Sequence, residues 1–173
     1  ILKKYEIEKS QLSYRDQNHE AMLPKIEEFL DNNLNVALIS DSGTPLISDP
    51  GYKLVRELIR KGFNIVSIPG PSAVIAALVI SGFPTDKFSF LGFLPKSSGD
   101  RSKILKIYGS LDSTLVIYES PFRIEKLLKE IDENLGDRFV CLANEITKIH
   151  EKVTRGRVSV VLEMVKGKRL KGE

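Results

Sequence analysis

The chain has one cysteine, Cys141, and two histidines in 173 residues, and no run of about 18 consecutive apolar residues. A single cysteine excludes a disulfide framework and any cysteine-built metal site, which suits a reducing cytoplasm. Without a long apolar run, nothing reads as a membrane span. The start, Ile1-Leu2-Lys3-Lys4, has neither a methionine nor the apolar core of a signal peptide. It reads as the end of a helix cut from a longer chain. The phosphate-binding patterns G-x-x-x-x-G-K-[ST] and G-x-G-x-x-G are absent, which disfavours a P-loop nucleotidase or a dehydrogenase. No G-x-S-x-G elbow occurs, which disfavours an α/β-hydrolase. His19 and His150 lie far apart, each followed by an acidic residue, and read as surface or structural histidines. No clustered ligand set suggests a metal.

Charge of one sign is also scarce. The net charge is +3, from 26 basic and 23 acidic residues, too weak to argue for nucleic acid by itself. The basic residues do cluster, with Lys96, Arg101, Lys103 and Lys106 in one group and Lys166, Lys168, Arg169 and Lys171 in another. Such groups read first as solvated surface and second as an RNA-facing patch. Hydrophobic and charged contents of 42% and 28% are ordinary globular values, compatible with one large domain or two small ones.

What is present is a strict alternation of patterns. Met22, Leu23, Ile26, Phe29 and Leu30 recur at helical spacing, and Asn32-Asn33 end that helix. Val36 to Ile39 is a short apolar run that predicts a buried strand. It leads into the polar loop Ser40 to Pro45, and Ser48-Asp49-Pro50-Gly51 then opens a helix. Tyr52, Val55, Leu58 and Ile59 give an amphipathic helix stopped by Gly62. Ile65 to Ile68 predicts a strand, and Ser72 to Ile80 a helix of small and apolar residues. The order α, β, α, β, α argues for a parallel sheet with crossover helices. Gly82 to Asp86 reads as a linker. Beyond it come strands at 88–93 and 113–118, a helix at 102–111, and another from the Ser120-Pro121 cap pair to about Leu135. Phe139 to Ala143 and Val153 to Arg155 predict further strands, and Val158 to Val165 a helix. The expectation is therefore two α/β domains, residues 1–85 and 86–173, with a parallel sheet in the first. Missing material at both ends is expected, including a final strand.

Four predicted strands end in polar, Gly- or Pro-marked sequence: Ser40-Asp41, Pro69 to Ser72, Glu119-Ser120 and Asn144-Glu145. In open α/β sheets the carboxyl ends of strands are where ligands bind. Asp41-Ser42-Gly43-Thr44 also matches the D-[ST]-G-[ST] signature of aspartic proteases. That chemistry needs a second carboxylate from a matching motif or a symmetric partner, on all-β flanks, and the helical flanks here argue against it.

The runs SDSGTPLISDPG, PGPSAVIAAL, TLVIYESPFR and NEITK, taken in order, closely resemble the tetrapyrrole-methylase superfamily of S-adenosylmethionine-dependent methyltransferases. Within it they resemble the branch that methylates the ribose 2′-hydroxyl of a cytidine in 16S ribosomal RNA. The resemblance spans nearly the whole chain and implies a two-domain α/β fold with a cofactor cleft between the domains. It further implies a cytoplasmic homodimer acting on small-subunit ribosomal RNA. It assigns Ser40, Asp41, Gly43 and Thr44 to the cofactor cleft, with Ser72 and Ala73 presenting backbone groups at the start of a helix. Tyr118 and Glu119, with Ile146 and Thr147 nearby, would line it from the second domain. Free N–H groups at a helix start suit the cofactor carboxylate, and acceptors such as Asp41 suit its ammonium and ribose hydroxyls.

Two departures from the family pattern stand out. Phe122 occupies the place where E-S-P-H-R is expected, and around Arg15-Asp16-Gln17-Asn18, where histidines are expected, Asn18 alone matches well. No role of those histidines carries over. Arg123 remains as a phosphate contact or a surface arginine, and Lys96 and Arg101 as RNA contacts. The implied reaction is in-line attack of a ribose oxygen on an activated methyl group, for which alignment can supply much of the rate. Glu119 and Glu145 are general-base candidates by position. The rival readings are a sister enzyme methylating a porphyrin-like ring and a non-catalytic nucleotide- or RNA-binding fragment.

Overall fold

The computed structural model describes residues 2–168, 170 and 172; Arg169 and Lys171 of the second basic group lie outside them. The chain divides into two compact units, Ile1–Ser72 and Ala73–Glu173.

In the first unit, helix α1 (His19–Asp31) packs on helix α2 (Tyr52–Arg60). Both carry their apolar residues on one face, and Ile26, Leu54 and Leu58 are buried against Tyr14, Met22, Leu23, Leu30 and Phe63. Tyr14 also meets His19 Nδ1 through its hydroxyl at 2.9 Å, so His19 is structural. Burial, with the Asp16 charge second, raises the Tyr14 pKa above its usual value. At the end of α2, Gly62 takes the left-handed backbone (φ 85°) predicted for it, and Phe63 N–H donates back to the Leu58 carbonyl at 3.0 Å.

Among the described residues the parallel sheet expected in this unit is not formed. Segments 36–39 and 65–68 have no ladder partner among the described residues. Their apolar side chains are correspondingly open, Ile68 being 81% exposed. An apolar run marks a tendency to be covered, whereas a strand exists only where a second strand supplies its hydrogen bonds.

The second unit begins with α3 (Ala73–Ser81) and contains both sheets of the described residues. The aromatic run Phe88–Phe93 is β1, and it pairs in parallel with β2 (Thr114–Tyr118). The connecting helix α4 (Ser98–Gly109) starts four residues earlier than the periodicity predicts, because Ser97 Oγ caps it by accepting Asp100 N–H at 3.4 Å. Helix α5 (Ile124–Leu135) is followed by β3 (Phe139–Asn144), which pairs antiparallel with β4 (Lys152–Arg157) in unbroken register; α6 (Val158–Val165) closes the unit. Helix α5 sits between two cores. Leu127 faces Leu94 and Leu105, while Leu128 faces Val158, Val161 and Val165, and Ile131 touches both clusters.

One polar pair lies among these apolar contacts. Arg101 of α4 and Glu130 of α5 are both buried and form a two-pronged pair, Nε to Oε2 at 2.5 Å and Nη2 to Oε1 at 2.6 Å. Arg101 Nη1 donates to the carbonyls of Pro95 and Lys96, each at 2.9 Å, and Ser98 Oγ donates to Glu130 Oε1 at 2.7 Å. The hydrogen-bonded guanidinium holds the Glu130 carboxyl below its usual range. Arg101 is therefore a buried structural cation, and the RNA-contact role expected for it is corrected on that ground. A carboxylate depressed on folding contributes stability above its ordinary pKa, and that contribution is lost as pH falls through the folded value. Glu130→Ala, which strands the guanidinium, is expected to cost about 3–5 kcal/mol at pH 7 in urea unfolding. The variant should also lose much of the wild-type fall in stability on acidification through the carboxylate range.

Candidate functional site

Residues 40–51 of the first unit form a loop held by its own polar groups. Ser40 Oγ lies within donating distance of the Ser42 carbonyl (2.9 Å) and of an Asp49 carboxylate oxygen, and accepts Ser42 N–H at 3.3 Å. Thr44 Oγ1 donates to the Pro71 carbonyl at 2.7 Å, so this loop is tied to the residue before Ser72. Leu46 and Ser48 adopt left-handed backbone, φ 71° and 58°, a conformation that costs a non-glycine residue about 1–2 kcal/mol. Strain of that kind persists only where the surroundings enforce it. Here Gly51, at φ 132°, lets Leu38 and Leu46 close over the backbone, since a Cβ would meet Leu38 Cδ2 at 2.8 Å. Asp16 Oδ1 takes the Gly51 N–H at 3.4 Å.

Asp41 stands apart from this network. Its side chain is exposed and has no hydrogen-bond or ion-pair partner among the described residues. The carboxylate of Asp49, by contrast, is occupied by Ser40. Of the sequence-predicted residues, Ser40 and Thr44 thus hold the loop, Gly43 turns it at φ 72°, and Asp41 takes no part in holding it. The structural roles of Asp49 and Asp16 were missed; the D-P-G opening of α2 was the available signal for the first.

In the second unit, Ala73 opens α3. Tyr118 ends β2 with its ring against Phe90 (centroids 4.8 Å) and Phe93 (5.5 Å). The Glu119 side chain is 3% exposed, and three donors converge on its Oε1: Ser120 N–H at 2.8 Å, Arg123 Nε at 2.7 Å and Arg123 Nη2 at 2.6 Å. This clamp explains why α5 starts at Ile124 and not at the Ser120-Pro121 pair. The chain first makes a turn, with Arg123 N–H on the Ser120 carbonyl at 3.0 Å. Glu119 and Arg123 serve each other, which leaves that carboxylate oxygen poorly placed to take a substrate proton and the guanidinium partly spent.

The loop after β3 is strained in the same way as residues 40–51. Glu145 and Thr147 have φ 52° and 66°, unusual above all for β-branched threonine. The loop is closed by Lys148 Nζ on Glu145 Oε1 at 2.7 Å and by Thr147 N–H on Glu151 Oε2 at 2.7 Å. Ile146 is half-buried between these two residues, and Thr147 is exposed. Lys96 is exposed. Both general-base candidates, Glu119 and Glu145, are therefore engaged in ion pairs. No group of His, Cys, Asp and Glu able to hold a metal occurs among the described residues, and no helix of theirs is long and apolar enough to cross a membrane.

Residues 3–161 match the sequence model of the Tetrapyrrole (Corrin/Porphyrin) Methylases. The chain belongs to the tetrapyrrole methylase family. Over all 173 residues it is 41% identical to ribosomal RNA small subunit methyltransferase I of Thermotoga maritima, covering 78% of that protein. It is 36% identical to the protein of the same name from Halalkalibacterium halodurans, covering 60% of it. The chain thus spans about three-quarters of the first relative and three-fifths of the second. Among solved structures, the methyltransferase CobJ superposes on 88% of this chain and 67% of its own, with a TM-score of 0.62 at 19% identity. That likeness supports the methylase fold.

Replacing Gly51 by alanine tests how tightly the 40–51 loop is held. The Cβ must displace Leu38 and Leu46 while adopting a backbone that L-residues rarely take, so Gly51→Ala is expected to destabilise the chain by about 1–3 kcal/mol in urea unfolding. An unchanged midpoint would mean that the loop yields freely.

Proposed function

We propose that the protein is an S-adenosylmethionine-dependent methyltransferase acting on the ribose 2′-hydroxyl of a cytidine in 16S ribosomal RNA. The observation that carries this reading is the identity of 36–41% to the rRNA methyltransferases named above, running along the entire chain. We take it to work in the cytoplasm, on the small ribosomal subunit or its RNA, and as a homodimer.

The residues fit the cofactor. In the first unit, the exposed carboxylate of Asp41 is an unspent acceptor suited to an ammonium or ribose hydroxyls, on a loop whose shape is fixed by Ser40, Gly43 and Thr44. The backbone at Ser72 and Ala73 leads into and begins the first turn of α3, where free N–H groups suit a carboxylate. In the second unit, Tyr118, Ile146 and Thr147 stand at the carboxyl ends of β2 and β3 and offer an aromatic ring and backbone groups. When bound, S-adenosylmethionine supplies an activated methyl group.

The chain's own contribution is to bind and align, since Glu119 and Glu145 are already paired. The donor is already activated, so orientation can supply much of the rate; as the new carbon–oxygen bond forms and the methyl–sulfur bond breaks, the hydroxyl proton passes to solvent water. Glu119 then acts by holding the turn that ends in Arg123, and Lys96 contributes a charge for the phosphate backbone.

Isothermal titration of S-adenosylmethionine and transfer of labelled methyl groups to small ribosomal subunits, free ribosomal RNA and a tetrapyrrole test the reading together. Binding with labelling of the subunit or its RNA is expected; labelling of the tetrapyrrole instead would select the ring-methylating alternative. Asp41→Ala is expected to lower methyl transfer about tenfold or more, the loss of a hydrogen bond to a charged group. Its unfolding midpoint should not move. Unchanged transfer would remove Asp41 from the site.

A further inference from the structure

Helix α3 reads Ala-Val-Ile-Ala-Ala-Leu-Val-Ile-Ser and carries no charge and no basic residue in its last turn. The last carbonyls of any helix lack internal donors, and a cation at that end is favoured by the helix dipole. Here the donor comes from 74 and 75 positions further along the chain. Arg155, in the middle of β4 and opposite Cys141 in the register, donates Nε to the Ser81 carbonyl at 3.1 Å and Nη2 to the Ile80 carbonyl. No carboxylate pairs with Arg155 among the described residues, so its charge is committed to the helix end. Ser81 completes the stop, its buried hydroxyl donating to the Leu78 carbonyl at 2.7 Å and accepting Phe83 N–H at 3.0 Å.

Apolar packing alone holds α3 loosely. Val74 and Leu78 are buried, but Ile75 and Val79 are exposed. The Arg155 fork is the polar contact that fixes the helix end to the β3–β4 sheet. A helix of 9 residues is about 13 Å long and stiff, so a tilt at Ser81 is felt at Ala73.

We propose that Arg155 is a positioning residue for cofactor binding. By holding the Ile80 and Ser81 carbonyls it sets the axis of α3, and hence the direction of the free N–H groups at Ala73. The proposal rests on the reading above that the start of α3 meets S-adenosylmethionine.

The test compares wild type, Arg155→Ala and Arg155→Lys by amide hydrogen exchange of α3 without ligand, titration of S-adenosylmethionine, and steady-state methyl transfer. In Arg155→Ala, α3 exchange should rise and the KM for S-adenosylmethionine should increase about three- to twentyfold, with kcat changed less than about twofold. Arg155→Lys should fall between, because an ammonium lacks the planar fork that spans two carbonyls. A generally destabilised protein would instead lose kcat with active fraction and leave KM alone. That pattern, or α3 exchange and KM both unchanged in Arg155→Ala, overturns the proposal. If wild type fails to bind S-adenosylmethionine while Arg155→Ala still loosens α3, the clasp is real, but the cofactor reading falls and this role falls with it.

Discussion

The second unit is organised around a guanidinium and a carboxylate that are almost wholly withdrawn from water. Arg101 and Glu130 sit between α4 and α5, and once buried each depends on the other. Removing either leaves a charge in apolar surroundings, which is costlier than never having buried the pair. The geometry that avoids this cost is narrow. It requires α4 and α5 side by side, the chain after β1 folded so that the Pro95 and Lys96 carbonyls meet Nη1, and Ser98 within reach of Glu130. With α5 fixed, Leu127 and Leu128 are committed to opposite cores, and the turn from Glu119 to Arg123 must deliver the chain onto that helix. An apolar core alone would tolerate several helix rotations; the two-pronged pair tolerates far fewer.

The helices were legible because their signals are local. The apolar spacing of α1 and α2 and the stop at Gly62 all lie within one or two turns of what they specify. Strands 88–93, 114–118 and 139–144 were legible from β-prone composition. The runs at 36–39 and 65–68 carry the same composition without a ladder, because pairing is a property of two segments and composition of one. Arg101 failed for the related reason that its partner lies 29 residues away. Within a cluster of lysines, nothing local distinguishes a buried arginine from a solvated one.

The candidate site was proposed from motif resemblance, and its internal division of labour was not legible. Motif spacing pointed to the 40–51 loop and the ends of β2 and β3, but it credited Glu119 and Glu145 with free carboxylate oxygens that their ion pairs occupy. The Glu119–Arg123 pair has the four-residue spacing at which one turn of chain brings oppositely charged side chains together, so that signal was available. The strain was not. Leu46, Ser48, Glu145 and Thr147 are ordinary residues in left-handed backbone, and only the hydrogen bonds and close packing around them make those conformations stable.

Placing the strain in these loops and the stiffness elsewhere has a consequence for how the chain can bind. A loop held in an unfavourable backbone by many weak ties is already ordered, so a ligand that met it would not have to order it. Asp41 illustrates the arrangement: the groups around it satisfy one another, and its carboxylate is the acceptor they leave over. Helix α3 reaches the same end by another route, since it has no charges of its own with which to hold a position and borrows one from β4. In both places the residues nearest the proposed ligand are held by residues that need not touch it. This is why sequence motifs, which register the former, say little about the latter.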